Sequence, residues 1–221
     1  MEPVIVAIDG PAGVGKSTTS RRVAARLGIP HIDTGAMYRA MALKAMRAGV
    51  ALHDEPALES LGAATRIELE GSGATQRVLL DGEDVSAAIR MPEMSLAASR
   101  VSAVPAVRRI LVRMQQQMGR RAGGVLEGRD IGTKVFPEAP HKFFLTATPA
   151  VRSERRLRDL RERGIDQPVD EILREIETRD RQDSTRADSP LRWDDTYTVI
   201  DSSALTLDEV VERIVGKVRG R

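Results

Sequence analysis

The chain has 221 residues and no cysteine, which excludes disulfides and thiolate metal sites. It has no apolar run near the roughly 18 residues that a membrane-spanning helix needs. A basic segment and a small-residue cleavage site are missing near its start, so no secretory leader is expected. Excess charge is also scarce. The formal net charge is +2, which argues against non-specific binding to nucleic acid. Lysine is rare within a basic set of 34, with 5 Lys against 29 Arg. A guanidinium fork suits bidentate recognition of phosphate or carboxylate. Genomic base composition is the ordinary source of such an excess, so each arginine needs its own local argument. What remains is an ordinary globular composition, 41% hydrophobic and 30% charged. The length fits one domain spanning 1–221, with room for a small inserted lobe. These features lead to the expectation of a cytoplasmic protein, monomeric by default, with neither a membrane nor a nucleic acid as partner.

Short apolar runs alternate with amphipathic helices. Residues 4 to 8 read as a buried strand, and a helix is expected from about Lys16, with Val23, Ala24 and Leu27 inward and Gly28 as its cap. His31-Ile32-Asp33 reads as a second strand, followed by a helix carrying Met37, Met41 and Ala45. Asp54 caps a short helix through Leu61. The stretch RIELEGSGATQRVLLDGEDV then alternates polar and apolar residues around Gly-Ser-Gly and Asp-Gly turn signals, an antiparallel hairpin pattern with a possible third strand. It reads as a small β lobe, about 60–104, inserted between core elements. Pro105 opens an amphipathic helix with Val107, Ile110, Leu111, Met114 and Met118 inward. Strands follow in GGVLEGRD, HKFFLTAT and TYTVIDSS, with helices after Thr148, after Pro168 and in LTLDEVVERIVGKV. The alternation implies a five-stranded parallel sheet with helices on both faces.

GPAGVGKST, residues 10 to 18, falls between the first strand and the first helix and matches G-x-x-x-x-G-K-[ST]. Glycines let backbone N–H groups converge on phosphate oxygens, and the helix directs its positive end at the same anion. The candidate ATP-binding set is therefore Gly10, Pro11, Ala12, Gly13, Val14, Gly15, Lys16, Ser17 and Thr18. Lys16 is expected to reach the β- and γ-phosphates, and the Ser17 hydroxyl to ligate Mg²⁺. The loop alone leaves switch GTPases, motor ATPases and small-molecule kinases open. No Asn-Lys-x-Asp guanine signature is present, which counts against a GTP switch.

Other polar clusters fall at strand ends, where open α/β sheets bind ligands. DTGAMYR places Thr34 and Arg39 after the second strand, and EGRDIGT places Glu127, Arg129 and Asp130 after the third. Ser99 and Arg108 flank the start of the Pro105 helix, and RDRQDSTRADSP carries Arg179, Arg181, Asp183 and Arg186. Asp183 and Arg186 are also spaced to pair on a helix. Arginines from 152 to 163 alternate with Glu154, Asp159 and Glu162 and read as a solvated, salt-bridged face. Arg155 and Arg156 are candidates for phosphate contact. Trp193 and the methionines are expected to pack in the core or at a hinge.

Taken together, IDGPAGVGKST, DTGAMYRA, DGEDVS, EGRDIGT, PEAPHKFFL and the R-x-x-x-D-x-x-R spacing of Arg179, Asp183 and Arg186 resemble the bacterial cytidylate kinases, of the nucleoside monophosphate kinase family. The resemblance runs from residue 4 to about 215. It implies a P-loop kinase core, an antiparallel insert in the monophosphate-binding lobe and a short lid at about 155–190. It implies transfer of the ATP γ-phosphoryl to CMP and dCMP with Mg²⁺. On the same basis Thr34, Arg39, Arg108 and Arg129 match monophosphate-site positions, Ser99, Asp130, Asp183 and Arg186 match positions around cytosine and sugar, and Arg179 and Arg181 fall in the lid. Lys16, Arg129, Arg179 and Arg181 are the implied catalytic set. Two residues depart from the pattern. Glu127 stands where aspartate is expected about as often, and Lys134 replaces an aliphatic residue, at a position expected on the surface.

Overall fold

Every strand expected from the sequence is present. The computed structural model describes residues 3–71, 76–162 and 164–220, so Ser72 and Gly73 of the Gly-Ser-Gly turn, and Arg163, lie outside the described residues. In chain order the elements are β1 (Ile5–Asp9), α1 (Lys16–Leu27), β2 (His31–Asp33), α2 (Thr34–Arg47), α3 (Glu55–Ala63), β3 (Ile67–Glu70), β4 (Arg77–Leu80), β5 (Glu83–Asp84), α4 (Pro92–Ser102), α5 (Pro105–Ala122), β6 (Gly124–Gly128), β7 (His141–Thr146), α6 (Pro149–Arg161), α7 (Val169–Thr185), β8 (Thr198–Asp201) and α8 (Leu207–Val218). A single π-helical turn, Ile131–Val135, follows β6.

The first, second, sixth, seventh and eighth strands form one parallel sheet in the order β2-β6-β1-β7-β8. β1 is buried along its whole length, so alternate side chains serve opposite faces. Val6 and Ile8 join Val23, Ala24, Val211 and Ile214 in a cluster under α1 and α8. Ile5 and Ala7 join Ile32, Leu126, Ile131 and Val135 on the other face, against α5. The register pairs Asp9 with Gly128 and Asp33 with Glu127. The carboxyl ends of three strands therefore meet at one rim.

The hairpin region forms a separate antiparallel sheet, β3-β4-β5. Asp81 and Gly82 both take positive φ, 53° and 89°, in the two-residue turn between β4 and β5, as the twist of a tight hairpin requires. Ile67, Val78 and Leu80 pack with α2, Leu58, Met94, Val101 and Leu111 in a third hydrophobic cluster apart from the two against the large sheet. Helix ends follow local chemistry: Asp33, Asp54 and Thr148 accept backbone N–H bonds as caps, Gly28 closes α1 with φ 69°, and Thr206 and Glu209 form a capping box.

Three features differ from the expectations. α4 has no counterpart in the sequence reading; its buried stripe is only Met94, Ala97 and Val101, while its serines lie on another face. On α5, Val107 and Leu111 are buried as expected, but Ile110, Met114 and Met118 are only partly so, and Arg108 and Gln115 lie deeper. The helix packs between α3 on one side and the π-helical turn on the other, which widens its inner face. Trp193 is 53% exposed and lies on Phe144 with ring centroids 4.4 Å apart, a surface cover rather than core; Met46 and Met91 are exposed too.

Candidate active site

Residues 10–15 turn the chain from β1 into α1. Gly10 has φ 152°, and a Cβ there would fall 2.2 Å from the Leu145 carbonyl oxygen. Gly15, at φ 87°, starts α1 without a side-chain cap, which leaves the first backbone N–H groups directed at the rim. Lys16 is buried and its Nζ donates to the Pro11 carbonyl at 2.6 Å. Burial, with Arg129 beside it, pushes its ammonium well below the usual lysine range. An incoming anion counteracts both by favouring the charged form.

From Ser17 a polar chain runs inward. The Ser17 hydroxyl donates to Glu127 Oε2 at 2.7 Å, and Glu127 Oε1 lies 2.9 Å from His31 Nε2. The Thr34 hydroxyl donates to the Glu127 carbonyl at 2.6 Å. Glu127 and His31 are both buried. Hydroxyl and carboxylate beside a phosphate loop are hard oxygen donors of the kind Mg²⁺ takes alongside nucleotide phosphates. That fits a metal held by few protein groups, and among the described residues no cluster of three His, Cys, Asp or Glu offers another cation site.

Across the rim lie the expected arginines, each beside an acid. Arg39 Nη2 is 3.0 Å from Asp33, Arg129 Nε is 2.8 Å from Asp183, and Arg108 binds Asp130. Arg186 lies between Asp183 at 3.7 Å and Asp130 at 3.8 Å, so the expected three-apart pair does form. Burial pushes the Asp183 carboxyl up, but Arg129, Arg186 and Arg179 outweigh it and hold the group below the usual carboxylate range. Burial and then Arg129 push Arg179 down to about 10. Arg39 Nε, Arg108 Nε, Arg179 Nε and Arg186 Nη2 are buried with no acceptor among the described residues. Buried guanidinium N–H groups lacking protein acceptors call for an anionic or polar ligand.

Phosphate loop and arginines line one cleft of about 640 Å³. Nine lysines and arginines line it against five acids, so its field favours anions. Ala12 to Thr18, Thr34, Arg39, Ser99, Arg108, Arg129, Asp130, Arg179, Asp183 and Arg186 all reach it. Gly10 and Pro11, also expected in the ATP-binding set, do not line it. Arg181 is not brought to the cleft: it is exposed, two residues and some 200° around α7 from Arg179. Arginines 152 and 155 also correct the solvated-face reading of α6. Arg152 is buried against Asp180, and Arg155 donates to the Val14 carbonyl at 3.3 Å and to the Ser202 carbonyl at 2.7 Å.

Several lining residues escaped the sequence reading. Tyr38 carries the Arg108 guanidinium 5.7 Å above its ring; its position one turn after Thr34 was the available signal. Ser95 and Ser102 share the cleft-facing side of α4 with Ser99, whose hydroxyl donates to Gln182 at 2.8 Å. At the far end Leu205, Leu207 and Val210 form an apolar wall beside Ser202 and Arg155. Beneath the rim, Asp9 accepts N–H bonds from Ile131 and Gly132, both 2.9 Å, and the Tyr197 hydroxyl at 2.7 Å. It thereby fixes the turn that follows Arg129 and Asp130. Burial pushes its carboxyl up to about 6 despite these bonds.

The sequence model described as Cytidylate kinase matches residues 6–220. A cytidylate kinase from Syntrophotalea carbinolica is 51% identical over 99% of this chain and 93% of its own length. Another, from Caldicellulosiruptor bescii, is 45% identical over 97% and 95%. Among solved structures, a gluconokinase from Sinorhizobium meliloti superposes with TM-score 0.50 at 18% identity over 98% of this chain and 93% of that one, a likeness that speaks to the fold alone. A match across nearly the whole chain, with relatives about half identical along almost all of theirs, is more than a shared phosphate loop produces: the chain belongs to the cytidylate kinase family.

Proposed function

We propose that this protein transfers the γ-phosphoryl group of ATP to CMP and dCMP, giving ADP and the pyrimidine nucleoside diphosphates. The observation that carries this reading is a cleft in which a phosphate loop shares one space with arginines that each keep a buried guanidinium N–H without an acceptor among the described residues: Arg39, Arg108, Arg179 and Arg186. Membership of the cytidylate kinase family supplies the acceptor.

Backbone N–H groups of residues 12–16 and Lys16 hold the donor phosphates, with the adenine on the Leu205–Val210 side beside Arg155. Thr34, Arg39, Arg108 and Arg129 hold the acceptor phosphate, and Ser99, Asp130, Asp183 and Arg186 read cytosine and sugar. Two polyanions repel each other, so converging cations are needed to align them. The transition state is loose, with charge on the equatorial oxygens, and Lys16 and Arg179 neutralise it. An acceptor phosphate oxygen is already ionised at neutral pH, so no general base is required. Ser17, with Glu127 behind it, would hold Mg²⁺, which would supply further neutralisation of the β- and γ-phosphate charge. Arg181 takes no part.

In this reading residues 60–104 form the monophosphate lobe and 155–190 the lid, and both close on the nucleotides to exclude water. No helix among the described residues is long and apolar enough to cross a membrane. The enzyme works as a cytoplasmic monomer. The test is ADP release from ATP with CMP, dCMP, UMP and AMP as acceptors. Turnover is expected with CMP and dCMP; none with CMP at millimolar concentration overturns the reading.

A further inference from the structure

We propose that Arg152 is a positioning residue that couples the donor and acceptor halves of the cleft. It ties the phosphate loop to α7 beside Arg179. This inference rests on the CMP kinase reading above.

Arg152 lies in the first turn of α6 and is only 4% exposed. A buried guanidinium is costly unless paired and hydrogen-bonded, so its partners define what it does. Its Nη2 lies 2.6 Å from Asp180 Oδ2, on α7 immediately after Arg179. Its Nη1 donates to the Ala12 carbonyl of the phosphate loop at 3.2 Å. The backbones close the same junction. A Cβ at Gly13, where φ is 79°, would fall 3.1 Å from Arg152 Cβ and 3.2 Å from its carbonyl oxygen. The loop therefore rests on α6 at this residue. One rigid, planar fork holds a loop carbonyl with one arm and an α7 carboxylate with the other, which the point charge of a lysine does not reproduce.

Arg152 itself does not line the cleft, whereas Arg179 and Asp183, on either side of Asp180, do. Asp183 in turn holds Arg129 at 2.8 Å. A donor nucleotide that orders the loop thus fixes Ala12 and Gly13, and through Arg152 the turn of α7 that carries the acceptor-side groups. Linkage makes the effect reciprocal: each nucleotide tightens the other by the same factor.

The test is calorimetric titration of CMP into wild type, Arg152→Met, Arg152→Lys and Asp180→Asn, each with and without saturating Mg²⁺ and a non-hydrolysable ATP analogue. Wild type is expected to bind CMP about tenfold more tightly with the analogue, within the usual range of coupling between sites. Arg152→Met and Asp180→Asn are expected to bring that ratio close to one, and Arg152→Lys to keep part of it. A merely structural residue lowers the melting temperature and weakens both ligands while the ratio survives; that result overturns the proposal. Should Arg152→Met fail to fold, Asp180→Asn and Arg152→Lys carry the same comparison. Wild type that turns over CMP yet shows no coupling overturns this inference and leaves the proposed activity standing. Wild type that neither binds nor turns over CMP overturns that activity and the inference with it.

Discussion

Ser17 and Glu127, 110 residues apart in the chain, meet in a hydrogen bond of 2.7 Å. The contact joins the first turn of α1 to the end of β6, and its other side is braced by His31 at 2.9 Å. The carboxylate is thus aimed before any nucleotide arrives. Glu127→Gln keeps the shape and removes the charge. It is expected to lower kcat by roughly 10- to 100-fold and to raise the Mg²⁺ concentration needed for half-maximal rate, as loss of a group supporting a metal does. A Mg²⁺ titration of ADP release measures both; an unchanged titration curve contradicts the assignment.

Arg129 and Arg181 were equal candidates by residue type, and the fold separates them. Arg129→Ala removes a partly buried cleft cation and the nearest partner of Asp183, which keeps only Arg186 at 3.7 Å. The KM for CMP is expected to rise about 10- to 100-fold, the worth of a charge-assisted hydrogen bond. Arg181→Ala, on an exposed face of α7, is expected to stay within about twofold of wild type in both kcat and KM. Steady-state kinetics with CMP varied distinguishes them, and equal effects contradict the placement.

Asp9 makes stability depend on pH in a stated direction. Its carboxyl rises from an ordinary 3.8 to about 6 in the folded protein. The folded state therefore holds a proton that the unfolded chain releases between about pH 4 and 6. The stabilisation is complete below pH 4 and is lost as pH climbs through 6, a span worth about 3 kcal/mol for two pKa units. Asp33 and Asp183, held low, contribute the opposite slope, so the comparison is between variants. Asp9→Asn is expected to gain on wild type steadily from pH 4 to 7 in urea unfolding; a constant difference contradicts the expectation.

Two glycines with positive φ are expected to answer substitution differently. At Gly10 a Cβ would lie 2.2 Å from the Leu145 carbonyl oxygen, whereas at Gly28 nothing lies within 4 Å. Gly10→Ala is expected to cost at least about 3 kcal/mol through clash and strain, and Gly28→Ala about 1 kcal/mol through strain alone. Thermal midpoints report this as a drop of roughly 6–12 °C against roughly 2–4 °C.

What could be read from the sequence was what local chemistry decides. Strand β1, the phosphate loop and the caps at Asp33, Asp54, Gly28 and Thr148 depend on residues within a turn of one another. Arg39 and Arg129 could be read because they come soon after strand ends, whereas Arg108, Arg179 and Arg186 belong to α5 and the end of α7 and were marked only by the family resemblance. α4 escaped because its buried stripe is short and built partly of alanine, while its polar face looks onto a cleft rather than the outer solvent. Arg152 was misjudged for one reason. Alternating charge around a helix does not say which side another element will cover, and only the packing of α6 on α7 and the phosphate loop decides it. Leu205 and Val210 join the cleft from the far end of the chain, where no nearby motif marks them.

The strand order carries a consequence for how the chain assembles on the ribosome. β1 sits mid-sheet, yet both of its hydrogen-bonded neighbours, β6 and β7, begin only at Gly124 and His141, and β2 has β6 as its single partner. More than half the polypeptide must emerge before either early strand finds a mate, and such long-range pairing is slow. Meanwhile α2, the small antiparallel sheet and α4 hold an apolar cluster whose members all lie between Ala36 and Leu111. That unit has what it needs to collapse first, leaving the nucleotide-gripping half of the enzyme to close around it during the last third of translation.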